Sequence, residues 1–164
     1  MLIKIKDHIF RILYILILIY LLVFIPSFFG KKPLVVVSGS MQPILKVGGI
    51  LYYEETNIKD FQKNDILVFE LNDHTISHRI VDIKDGYFVT KGDANTSIDS
   101  YEVNYEQVIG KGTNWSIPYI GYYADFIYTH KYLLFISIFL IIIDLCNDFY
   151  KNKKRKIGDV VEKN

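Results

Sequence analysis

Three short stretches carry the side chains able to do chemistry: Ser38-Gly39-Ser40-Met41-Gln42-Pro43, Ser77-His78-Arg79-Ile80 and Lys91-Gly92-Asp93-Ala94-Asn95, with Asp99 six residues beyond Asp93. A hydroxyl, an imidazole and a carboxylate are the parts of an activated-serine hydrolase: the base takes the hydroxyl proton, and the acid fixes the base's tautomer. Two serines separated by one glycine could supply a nucleophile and a second hydroxyl for a developing oxyanion, with the Ser40 backbone N–H as the natural further donor. Each residue also has a plainer role open to it. Ser40 could cap or solvate a turn, Asp93 could form a turn after Gly92, and Asp99 could be a solvated loop carboxylate. Strand alternation puts His78 on the face of Ile76 and Ile80 while Ser77 and Arg79 face the other way, as for a satisfied core histidine. The other histidines sit elsewhere: His8 in the basic N-terminus, His74 beside a turn, His130 at the edge of the last apolar segment.

The elements that must position these groups read as strands. Val35, Val36 and Val37 are β-branched, suit a buried strand, and break into Ser-Gly-Ser, where Gly39 permits an unusual backbone angle. Residues 47–53 predict a second strand bent at Gly48 and Gly49. Residues 66–71 predict a third and, after a turn at Asn72-Asp73, residues 74–83 a fourth. Asp85-Gly86 signals a hairpin into residues 87–90, and residues 107–110 predict one more short strand. Short strands at close spacing, almost without helical periodicity, indicate a mainly β, antiparallel domain.

Apolar segments flank that domain. Residues 12–29 hold eighteen residues without a charge, about 27 Å as a helix, close to the thickness of a bilayer core. A cleavable secretory signal is the competing assignment, but Ser27-Phe28-Phe29-Gly30 lacks the spaced small residues of a cleavage site, so a retained anchor is expected. Residues 132–143 are apolar apart from Ser137, and continuing to Tyr150 gives nineteen residues with Asp144 and Asp148 in the last two turns. A helix lying on the domain or in the interface competes with a second span here, and the span is preferred because residues 151–156 form a basic flank. The two ends carry ten Lys/Arg against five acids, and residues 31–130 carry nine against thirteen. Basic flanks predict two cytoplasmic termini, and an acidic middle without a basic run excludes nucleic acid as partner. The expected order is a cytoplasmic N-terminus (1–11), a span (12–29), an extracytoplasmic β domain (31–130), a second span (131–150) and a basic cytoplasmic tail (151–164), disordered after Ile157. Cys146 stands alone, so no disulfide forms within the chain, and its apolar setting predicts a buried, inert thiol.

Taken in order, Ser-Gly-Ser-Met-x-Pro, Ser-His-Arg-Ile and Gly-Asp-x-Asn with a later Asp resemble type I signal peptidases. The branch they resemble is that of archaea, the endoplasmic reticulum and some spore-forming bacteria, in which His stands where ordinary bacterial enzymes have a general-base Lys. Pro118-Tyr119-Ile120-Gly121 is similar to a segment near the end of that branch's catalytic domain, so the resemblance covers residues 34–121. It implies a membrane-bound serine endopeptidase that removes signal peptides through an acyl-enzyme, with Ser40 as nucleophile and His78 as base. It further implies Asp99 as the orienting carboxylate, Asp93 as a brace for the site, and Ser38 with the Ser40 N–H as oxyanion donors. The substrate would lie extended along Val35, Val36, Val37 and Ser38. The implied partners are signal-bearing precursors, the lipid bilayer and the export machinery, and neither cofactor nor metal is required. The ordinary bacterial dyad is disfavoured, because Arg79 beside His78 stays protonated and Lys84 and Lys91 lie off the matching position. Two rival functions remain: an inactive membrane-anchored accessory subunit that binds exported peptides, and a soluble self-cleaving Ser–Lys peptidase, which the apolar ends oppose.

Overall fold

Ile66-Leu67-Val68-Phe69 is buried along its whole length, and this run forms most of β3 (Ile66–Leu71) near the middle of the sheet. Because successive side chains point to opposite faces, β3 feeds two cores at once. Ile66 and Val68 join Val36, Met41, Leu45 and Leu51; Leu67 and Phe69 join Phe61, Ile80, Phe88 and Val103. The computed structural model describes residues 2–161. Residues 22–126 make one compact unit, and the described parts of residues 1–21 and 127–164 make another.

Within the first unit, β1 (Lys32–Val35), β2 (Ile50–Glu54), β3, β4 (His74–Ile83), β5 (Tyr87–Lys91), β6 (Val103–Asn104) and β7 (Val108–Ile117) form one sheet of seven strands. The spatial order is β1-β2-β7-β3-β4-β5-β6 and every neighbouring pair is antiparallel. β3 and β4 pair in register from Ile66↔Arg79 to Leu71↔His74, across a tight turn in which Asn72 and Asp73 both take left-handed angles. β4 is longer than its partnership with β5, which begins only at Arg79↔Lys91.

Several elements differ from the sequence expectations. β1 lies earlier than residues 35–37 and includes Pro33, which an edge strand tolerates because the missing N–H faces outward. Val36 still exchanges backbone bonds with Gly48 and Gly49, but Val37 has left the ladder and is exposed. β2 starts at Ile50 rather than Val47, since Gly48 is left-handed (φ +76°) and a Cβ there would fall 2.1 Å from the Tyr122 ring. Gly39 is not among the residues with positive φ, so its role is not the backbone freedom expected of it. The strand expected at residues 107–110 is instead the ten-residue β7, which runs between β2 and β3. Its Gly110 and Gly112 read as breaks, yet they admit close neighbours: a Cβ on Gly110 would lie 2.3 Å from the Glu54 carbonyl oxygen.

Helix α1 (Leu2–Phe24) passes into a 3₁₀ turn over Ile25–Phe29. Tyr52 donates its hydroxyl to the Val23 carbonyl at 2.9 Å, and Val23, Ile50, Tyr52 and Ala124 form a third buried cluster. Ala124 belongs to α2 (Ile120–Thr129), a helix with no counterpart in the sequence expectations. Helix α3 spans Lys131–Val161, so residues 158–161 continue it rather than forming a disordered tail, while residues 162–164 of the expected tail lie outside the described residues. His8–Phe29 and Lys131–Lys151 are each long and apolar enough to cross a membrane. The chain is therefore a mainly antiparallel β domain between two helices of membrane-spanning character. Cys146 is exposed among the described residues rather than buried. In this second unit the Lys6 ammonium and the Asp144 carboxylate form an ion pair at 2.5 Å.

Candidate active site

Ser40 sits in the turn after β1, held from beneath by Met41 and Leu45, whose side chains are almost fully buried in the first core. His78 sits in β4 opposite Leu67, on the second core's side of the sheet, with its ring edge-on to Phe69 at 6.4 Å between centroids. The two meet: Ser40 Oγ is 3.0 Å from His78 Nε2. On the far side of the ring, His78 Nδ1 is 2.6 Å from Asp99 Oδ2. With Asp99 ionised, Nδ1 carries the proton and Nε2 is left as the acceptor facing Ser40. The His78 and Asp99 side chains are 9% and 7% exposed, so the contact is screened little by water.

Asp93 occupies a different place. Arg79, one residue after His78 and on the opposite face of β4, grips it with two parallel bonds, Nε to Oδ1 at 2.7 Å and Nη2 to Oδ2 at 2.6 Å. Arg79 also donates Nη1 to the Asn64 carbonyl at 2.6 Å and to Asn114 Oδ1 at 3.3 Å. The bonds to Asp93 push the guanidinium above its already high range, so it stays a cation. From this anchored loop Ala94 N–H donates to the Ser40 carbonyl at 2.8 Å, and the Asp93 N–H lies 3.4 Å from the Met41 sulfur. Gly92 makes that approach possible, since a Cβ there would fall 2.6 Å from the Ser40 carbonyl oxygen.

Ser38 Oγ is 3.2 Å from Ser40 Oγ, and both hydroxyls are open to an incoming group. Two groups escaped notice in the sequence. Thr90 is fully buried and donates its hydroxyl to the same Asp99 Oδ2 that meets His78, at 2.7 Å. Tyr101 lies beside Asp99 as well; burial and the neighbouring carboxylate push its phenol up to about 12. Thr90 was legible in principle, because it alternates with buried Phe88 and a hydroxyl at an inward position needs a partner. Of the other histidines, His74 reaches the rim of the groove at this site, four residues before His78. Lys84 is taken up by Asp82 at 2.6 Å. Among the described residues no three His, Cys, Asp or Glu side chains converge as a metal would require.

A groove of about 550 Å³ leads to the serine. One wall is Leu34, Val35, Val36, Val37 and Ser38; the other is residues 73–78 of the β3–β4 turn and β4. Both walls are strand edges without a strand partner on the groove side: β1 pairs only with β2, and β4 gains β5 only from Arg79 onward. An extended chain in the groove would find N–H and C=O groups on either side.

No protein-family model matches the chain. It is similar to Signal peptidase I W of Bacillus subtilis (strain 168), with 39% identity over 99 residues that cover 57% of this chain. The chain spans about half of that relative's length, 52%. The similarity supports a relation to type I signal peptidases.

Proposed function

We propose that this chain is a membrane-bound serine endopeptidase that removes signal peptides from exported precursors, with Ser40, His78 and Asp99 as its catalytic groups. The reading rests above all on the unbroken run of contacts from Ser40 Oγ through the His78 ring to Asp99, at the end of a groove between two free strand edges. The similarity to a signal peptidase supplies the substrate class. An imidazole at the base position favours the Ser–His branch over a Ser–Lys dyad.

The precursor lies extended in the groove, paired with β1 and the free part of β4, its residues before the cut along Val35, Val36, Val37 and Ser38. His78 Nε2 takes the Ser40 proton as Oγ attacks the carbonyl carbon. The new oxyanion is held by the Ser38 hydroxyl and the Ser40 N–H. Asp99 stabilises the imidazolium formed. His78 then delivers that proton to the departing amine as the C–N bond breaks, leaving the signal peptide esterified to Ser40. Water, deprotonated by His78, attacks the ester; the signal peptide leaves as a carboxylic acid and Ser40 regains its proton. Asp93 braces the turn through Arg79 and takes no proton.

Orientation belongs to the same proposal: both termini cytoplasmic, the β domain on the outer face of the cell membrane, the export machinery nearby. The Lys6–Asp144 pair supports placing both ends on one side, because it joins the start of α1 to the second half of the apolar stretch Lys131–Lys151, as two antiparallel spans require; the basic flanks supply which side.

The test is processing of a signal-bearing precursor by the full-length protein in detergent or vesicles. Ser40→Ala and His78→Ala should each abolish cleavage while far-UV circular dichroism stays unchanged. Normal processing by either variant would remove that residue from the mechanism. Tight binding of the precursor without any cleavage by the wild type would favour an accessory, non-catalytic subunit.

A further inference from the structure

The carboxylate behind His78 is flanked by two hydroxyls. Asp99 Oδ2 faces His78 Nδ1 at 2.6 Å and at the same time accepts from Thr90 Oγ1 at 2.7 Å. The Tyr101 hydroxyl, two residues further on, lies beside that carboxylate. Neither hydroxyl sits there loosely. Thr90 is fully buried at the inward position of β5, and the Asp99 N–H returns to the Thr90 carbonyl at 2.9 Å, closing the loop over residues 91–98 on itself. The Tyr101 ring is packed against Phe69 at 6.1 Å, the same ring that meets His78. Two hydroxyls that only filled space would not both gather at the carboxylate that the imidazole needs, with that of Thr90 donating to the very oxygen facing Nδ1.

We infer that Thr90 and Tyr101 are positioning residues that set the basicity of His78 by sharing the negative charge of Asp99. The inference rests on the proposed roles of Ser40, His78 and Asp99. Its physical basis is a competition for lone pairs. A carboxylate buried this deeply needs donors to remain ionised. Every donor that satisfies it also draws charge away from Nδ1 and weakens its hold on an imidazolium. With both hydroxyls in place, His78 is oriented by an anion yet not over-stabilised in its protonated form, so it can still accept the Ser40 proton. Tyr101 suits the task because its phenol stays protonated, and therefore a donor, throughout the range in which a histidine titrates. The other charged groups nearby do not substitute for this pair. Arg79 on the same strand turns to the opposite face and is engaged by Asp93. β3 brings Leu67 and Phe69, the turn after β1 brings Ser38, Ser40 and Met41, and neither carries a charge.

The sign of the effect follows. Removing a hydroxyl concentrates the Asp99 charge on Nδ1, favours the imidazolium, and makes His78 take up a proton at higher pH. Cleavage needs the neutral ring, so the acid limb of the pH profile of kcat/KM should move upward, by about 0.5–1 pH unit for Thr90→Val or Tyr101→Phe. Thr90→Ser restores the donor and should return the limb to its wild-type place. A merely structural role would lower the plateau and leave the limb where it was.

The measurement is made on the full chain in detergent micelles, together with NMR titration of the His78 ring in a Ser40→Ala background, which needs no turnover. An upward shift in both readouts for the two variants, reversed in Thr90→Ser, is the expected result. An unmoved limb and an unmoved ring titration, in variants that bind and fold as the wild type does, would overturn the inference while leaving the Ser–His reading intact. Retained activity in Ser40→Ala or His78→Ala would instead undo that reading, and the ring titration alone would then decide whether the hydroxyls govern His78.

Discussion

Asp93 and Asp99 are six residues apart in one loop, and the sequence offers either as partner for His78. The structure separates them by what each one touches: Asp99 the imidazole, Asp93 the guanidinium of Arg79. Their amide variants should therefore fail differently. Asp99→Asn keeps a hydrogen-bonding shape but favours the wrong tautomer, and turnover should fall on the order of 10⁴-fold with little loss of stability. Asp93→Asn leaves a part-buried guanidinium short of its charged partner, so it should cost about 1–3 kcal/mol of stability and reduce turnover less. Urea unfolding and precursor cleavage, measured side by side, distinguish the two. If Asp93→Asn is the more damaging to turnover at equal stability, the roles are exchanged. At this scale the residue types were legible in the sequence, because hydroxyl, imidazole and carboxylate announce their chemistry. Which of them meet was not, since Ser40 and His78 are thirty-eight positions apart and only the fold closes that distance. Thr90 and Tyr101 stayed hidden for a related reason: threonine and tyrosine are ordinary strand residues until a partner is seen.

Among the elements, β3, β4 and the hairpin into β5 follow from alternation and turn chemistry alone, and they lie where residues 66–71, 74–83 and 87–90 predict them. The elements that the sequence concealed are those whose glycines serve close packing rather than chain reversal. Gly110 and Gly112 interrupt the pattern of β7, yet they are there because a neighbouring backbone and the Ile66 side chain leave no room for a Cβ. Helix α2 was hidden by its composition, rich in aromatic residues and entered through Pro118 and the left-handed Tyr119. Gly92 belongs to the same class and bears directly on the site. Its replacement by Ala would push the Asp93–Ala94 segment away from the Ser40 carbonyl and weaken the bond that holds the turn bearing Ser40. Gly92→Ala should then lower kcat several-fold more than it raises KM, with a stability loss of about 1–3 kcal/mol from overpacking. Wild-type kcat in a well-folded Gly92→Ala protein would show that the turn does not depend on this contact.

For the molecule as a whole, the proposed arrangement places the β domain outside the membrane and both ends inside. In sealed, right-side-out vesicles, added protease should reach residues 31–117 but leave the basic segment at 151–156 intact. Digestion of that segment while the membrane holds would refute the orientation. The ion pair between Lys6 and Asp144 adds a constraint of another kind, one of timing. An aspartate such as Asp144 within an apolar helix is an obstacle to membrane entry, to the extent of about 2.5–3.5 kcal/mol near the bilayer centre and less toward its edge. Lys6 is made long before Asp144, so the first helix is in place with its cation waiting when the second arrives. On this view α3 is a conditional span, accepted because α1 preceded it. The same vesicle assay checks it: with Lys6→Leu, a growing share of chains should expose residues 151–156 to protease, and an unchanged share would mean that α3 enters unaided.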